Sequence, residues 1–70
     1  MTRKEKQVLQ FIIDFKKSKG YPPTVKEIAR GVNTKSTTHI REILIRLSEQ
    51  GYISFIPKKP RTINILKTVS

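Results

Sequence analysis

Apolar side chains return along the first third of the chain at helical intervals. Val8, Phe11, Ile12 and Phe15 stand at i, i+3, i+4 and i+7, with Leu9 and Ile13 widening the stripe and lysines filling the rest. The spacing predicts an amphipathic helix over about residues 3–19. Thr2 and Glu5 have the separation of a capping box, and Gly20 suits the left-handed geometry at a helix C-terminus. The string GYPPT follows. Its prolines lock an extended connection and hold Tyr21 out of helical geometry. Thr24 and Glu27 repeat the capping-box spacing, so a short second helix is expected over about 25–32, with Ile28, Ala29 and Val32 as its apolar side.

Asn33 tolerates left-handed backbone, so VNTKS is expected to turn tightly between two helices. Ser36 or Thr37 then caps a third helix over about 37–50, which Gly51 stops. At about 100° per residue, Ile40, Leu44 and Leu47 fall within roughly 60° of one another, with Ile43 at the margin. Thr38, Glu42, Ile45 and Glu49 therefore face outward, flanked by His39, Arg41 and Arg46.

Beyond Gly51 the period drops to two. Ile53 and Phe55 point one way, Ile63 and Ile65 do the same, and PKKPR separates the two runs. Proline cannot sit in a central strand, so this segment is read as the connection of an antiparallel hairpin over about 52–66, with three cationic side chains at its tip. The terminal KTVS is expected to fray. Three helices and a two-stranded hairpin, with a short turn between the second and third helices, make a small α+β winged helix-turn-helix occupying residues 1–70 as a single domain.

Charge gives that fold a use. Fifteen Lys and Arg stand against five Asp and Glu, a net charge of +10 in 70 residues. So dense a positive charge calls for a polyanionic partner. In a winged helix-turn-helix the third helix lies in the major groove of double-stranded DNA, its N-terminal residues reaching base edges. Short hydroxyls, a histidine and unpaired backbone N–H groups at that end permit close approach and hydrogen bonding to bases or phosphates. Arg41, one turn further in, has the reach for a bidentate contact to guanine. The apolar stripe lies on the far side because it holds the helix onto the other two.

Several functions fit poorly. Cysteine is absent and histidine occurs once, so neither thiol chemistry nor a metal site is expected, and no cofactor or small-molecule ligand is implied. An enzyme is not expected, for want of a nucleophile–base pair. With five aromatic residues, most of them expected in the core, a stacking platform for single-stranded nucleic acid is not expected either. No apolar run exceeds three residues, so neither a membrane span nor a signal peptide is expected, and a cytoplasmic location fits. One competing function survives. Winged helices also dock partner proteins, and Ile45, outward on the third helix, is the residue such docking would use.

The strings KGYPPTVKEIA, STTHIREILIRLSEQGYI and KPRTINIL resemble the N-terminal DNA-binding domain of LexA-type SOS repressors, from about Gln7 to Leu66. The resemblance implies transcriptional repression through a palindromic operator; the small surface that one core leaves in 70 residues predicts a monomer or a weak homodimer on DNA. The resemblance places base-reading roles on Ser36, Thr38, His39, Arg41 and Glu42, and wing contacts on Lys58, Lys59 and Arg61. Lys35, Thr37 and Arg46 are expected at neighbouring phosphates. The chain departs from the family at Asn33-Thr34, where Gly-Leu is usual, at Ile43, commonly polar, and at His39, commonly smaller. The operator therefore need not be the family's own. The family's C-terminal half, with its self-cleaving Ser–Lys dyad, has no counterpart in these residues. The chain reads either as an excised domain or as a stand-alone regulator, and no self-cleavage is expected of it.

Overall fold

The computed structural model describes residues 2–56, 58–59 and 61–67. The expectations for Pro57, Pro60 and the tail 68–70 lie outside these residues. Helix α1 (Arg3–Lys19) opens on a complete capping box: the Glu5 N–H donates to Thr2 Oγ1 and the Thr2 N–H to Glu5 Oε1, both at 3.1 Å. Gly20 closes it in left-handed geometry (φ 84°), donating to the Lys16 carbonyl. Helix α2 (Val25–Gly31) begins on the second capping box, between Thr24 and Glu27. Asn33, at φ 58°, turns the chain, and the Thr34 N–H donates back to the Ala29 carbonyl. Helix α3 (Thr37–Glu49) is capped by Ser36, whose Oγ accepts from the His39 N–H at 3.1 Å. Of the two candidates for that cap, Ser36 takes the role and Thr37 opens the helix.

The three helices and the hairpin enclose one core. Val8, Leu9 and Ile12 of α1 meet Ile28 and Ala29 of α2, Ile40, Ile43, Leu44 and Leu47 of α3, and Val32, Ile53 and Ile63 from the connections and the hairpin. Ile43, expected at the margin, is buried. On α1 the expected stripe needs correction: Leu9 is central, whereas Phe11 and Phe15 are only half-buried. Their rings are 5.8 Å apart, and Phe15 meets the Tyr21 ring at the same distance, so they form an aromatic ridge beside the core. None of the five aromatics is fully buried, against expectation, and Tyr21 is exposed. Gly31 explains where the Phe11 ring goes, since a β-carbon there would collide with that ring. The glycine that ends α2 is also the seat of a ring from α1.

The hairpin is shorter than its alternating pattern suggested. Strands β1 (Ile53–Ser54) and β2 (Asn64–Ile65) pair antiparallel through Ile53↔Ile65 and Ser54↔Asn64. Past Ser54 a side chain replaces the ladder: the Ile56 N–H donates to Thr62 Oγ1 at 3.0 Å. Ile53 and Ile63 are buried, while Phe55 and Ile65 are half-covered. Among the described residues no helix is long and apolar enough to cross a membrane.

Candidate nucleic-acid interface

The outward face of α3 is a row of exposed side chains. Thr37, Thr38, His39, Arg41, Glu42, Ile45 and Arg46 all reach solvent, and so do Lys35 and Ser36 just ahead of the helix. Their exposure follows from the burial of Ile40, Ile43, Leu44 and Leu47, which fixes the rotation of the helix about its axis. Ser36 has one lone pair committed to the His39 N–H. Its hydroxyl hydrogen remains to be donated, so the cap and a contact to DNA are compatible.

The same rotation divides these side chains between two flanks. Thr37 and Arg41 turn toward the hairpin and line a groove of about 350 Å³ between α3, the first turn of α2 and the hairpin connection. Buried Leu44 and Ile63 also line it. Lys26, Arg41, Lys58, Lys59 and Arg61 surround it, so five cationic groups from three elements converge on one depression. That is the arrangement a passing phosphate backbone calls for. Lys26 was not singled out from the sequence, because α2 reads there as scaffold only. Its signal is positional: the second residue of α2 follows the bend that brings the helix start toward the hairpin.

Other expected contacts sit elsewhere. Ser36, Thr38, His39 and Glu42 lie outside the groove, and Lys35 precedes the cap. Arg46 is on the opposite flank of α3, where its Nη1 approaches Glu5 Oε2 at 3.8 Å. Glu5 is the buried charged residue of the core region; the Thr2 N–H bonds its Oε1, and this guanidinium stands as the counter-charge near its Oε2. Arg46 therefore has a task within the protein, joining α3 to the start of α1, although more than half of its side chain stays exposed.

Arg61 is also engaged. Its Nη1 donates to Glu27 Oε1 at 2.9 Å and to the Pro22 carbonyl at 3.1 Å, and its Nη2 to Glu27 Oε2 at 3.3 Å. The guanidinium carbon lies 4.6 Å from the Tyr21 ring centroid. The Thr24 N–H and, after it, the Arg61 guanidinium hold the Glu27 carboxyl below the usual carboxylate range, so it is charged at neutral pH. Among the described residues the ion pairs are Arg46–Glu5 and Arg61–Glu27, and Arg41 forms none. The surface pairing that could have diverted Arg41 from a base is not made.

Ile45 is 42% exposed and stands near the middle of the outward face of α3, between Arg41 and Glu49. Among the described residues no group of three His, Asp or Glu side chains could hold a metal ion.

Comparison with known proteins places these features in a lineage. The model of the family described as LexA DNA binding domain matches residues 1–62. A LexA repressor of Clostridium perfringens is 45% identical over 64 residues, which are 91% of this chain and 32% of that protein. One of Caldicellulosiruptor saccharolyticus is 44% identical over 66 residues, 94% of this chain and 33% of the relative. One of Syntrophomonas wolfei is 46% identical over 61 residues, 87% of this chain and 30% of the relative. The chain thus spans about a third of the length of the relatives it matches.

Proposed function

Because this chain belongs to the LexA DNA-binding domain family, we propose that it binds double-stranded DNA sequence-specifically and represses transcription by occupying an operator. Helix α3 enters the major groove, with Ser36, Thr38, His39, Arg41 and Glu42 toward the bases and Lys35 and Thr37 toward phosphates. The hairpin is the wing, and Lys58 and Lys59 meet the neighbouring backbone. One observation carries this reading: Thr37 and Arg41, exposed near the start of α3, and the two wing lysines border a single cationic groove. A palindromic operator, its half-sites about one helical turn apart, suits two copies binding side by side.

Selection of binding sites from random duplex DNA is the direct test. Enrichment of one symmetric motif is the expected outcome, and a pool that never departs from random composition would refute specific recognition. The selected duplex then isolates Arg41. If its guanidinium reads guanine, Arg41→Ala is expected to lose roughly 1–3 kcal/mol on that duplex and almost nothing on scrambled DNA. Folding stability is expected to change by less than about 0.5 kcal/mol, since Arg41 is exposed and forms no ion pair. Equal losses on both duplexes at one salt concentration would make Arg41 a phosphate contact instead.

The wing lysines are expected to behave in the opposite way. Replacing Lys58 and Lys59 together by Ala is expected to weaken specific and scrambled duplexes alike and to flatten the log–log salt slope by roughly one to two units. A titration with the parent slope would remove both from the interface. Exposed Ile45 favours a second reading, in which the outward face of α3 docks a partner protein. Apolar docking would not weaken steeply with salt, so the same titrations separate the two.

A further inference from the structure

Two ladder pairs are few for a hairpin that must present cations at a set place. A two-stranded ribbon of that length has little stability of its own, and its hydrogen bonds fix neither its tilt nor its distance from α3. Side chains supply what the ladder lacks. Within the wing, Thr62 Oγ1 accepts from the Ile56 N–H and lies 3.1 Å from the carbonyl oxygens of both Ile56 and Lys59. This hydroxyl ties together the two sides of the segment that carries Lys58 and Lys59. Outside the wing, Arg61 reaches 34 residues back along the chain to Glu27 and 39 back to Pro22, with Tyr21 against the guanidinium. Arg61 itself has φ 58°, a left-handed conformation that residues with side chains rarely adopt, and this turn accompanies the reach toward α2.

We infer that Arg61 is a positioning residue, which clamps the wing to the start of α2 and acts on DNA through the placement of Lys58 and Lys59, without touching phosphate itself. The inference rests on the DNA-binding reading above. Both N–H groups of Nη1 are taken by Glu27 and Pro22, and Nη2 gives one to Glu27. A phosphate approaching this guanidinium would also meet the Glu27 carboxylate, so the pair presents almost no net charge. The anchor is firm because Glu27 stands in the capped first turn of α2 and Pro22 and Tyr21 in the proline-locked connection. Lys58 and Lys59 are thereby held on the side of the groove facing Thr37 and Arg41.

Two substitutions separate clamping from phosphate contact. Arg61→Lys keeps the charge but lacks the planar fork that grips the Glu27 carboxylate, and Glu27→Gln with the double variant then tells a clamp from a phosphate contact. Glu27→Gln keeps the capping box, since glutamine serves there as well, but lacks the charge that holds Arg61. Removing a negative charge by itself favours DNA binding, so a clamp and simple electrostatics predict opposite signs for Glu27→Gln. Binding of parent, both single variants and the double variant is measured across a salt series on a duplex the parent enriches from a random pool, with thermal unfolding of each. Each single variant is expected to bind roughly threefold to tenfold more weakly while remaining folded. The double variant is expected to be no weaker than the weaker single, and the log–log salt slope to stay within about half a unit of the parent. Parent-like binding by Arg61→Lys, or tighter binding with a steeper slope by Glu27→Gln, would overturn the inference. A parent that enriches no duplex is a separate outcome, which removes the DNA-binding reading and this inference with it.

Discussion

Raising salt from about 50 to about 200 mM is expected to weaken duplex binding by roughly a thousandfold, a log–log slope near −5. The slope follows from the count of phosphates whose counterions are released on binding, about 0.9 per neutralised phosphate on B-form DNA. Lys26, Lys58 and Lys59 around the groove and Lys35 ahead of α3 supply four of about six such contacts. Arg61 and Arg46 are left out of the count because Glu27 and Glu5 accompany them. Net charge alone would suggest more: with +10 on 70 residues, a chain that used every cation would show a far steeper slope. A value near −5 therefore reports a defined surface, and a flat titration would transfer the function to protein docking through Ile45.

Leu44→Ala is expected to cost about 2–5 kcal/mol. Leu44 is fully buried under the groove, in the core shared by the three helices and the hairpin, so truncation opens a cavity there. A domain of this size has roughly 4–10 kcal/mol of stability in all, so the variant is expected to melt about 10–30 °C below the parent. Ile45→Ala, one residue along, removes a similar volume from an exposed position and is expected to shift stability by no more than about 0.5 kcal/mol. Circular dichroism melts of the two give the contrast. Equal shifts would mean that α3 is rotated from the orientation on which the whole interface depends.

Much of the helical frame was legible because its determinants are local. Each capping box spans three residues, Gly20 and Asn33 announce left-handed turns by residue type, and the period of α3 selects its buried face. The readable part ends where contacts join distant segments. That Phe11 leans on Gly31, leaving Leu9 at the centre of the α1 stripe, depends on how two helices cross, which periodicity in one of them does not contain. Glu5 looked like half of a capping box and is also a buried partner of Arg46. Arg61 looked like the third cation of the wing tip; its attachment to Glu27 joins residues 34 apart. The alternation of the hairpin showed which side chains turn inward but not where pairing stops, because the Thr62 hydroxyl takes over from the ladder after two pairs.

That brief ladder also bears on the time axis of the molecule. Regions held by few buried contacts open at small free-energy cost, whereas elements sharing a core open only when the whole unit unfolds. Two ladder pairs alone would let β1 and β2 part readily, but Ile53 and Ile63 are buried in the core of α1, α2 and α3, so by that rule the strands open with the helices. Encounter with a duplex then has a single stage. Helix and hairpin are both presented from the first collision, little has to be ordered on contact, and differences in affinity between sequences fall on the rate of dissociation.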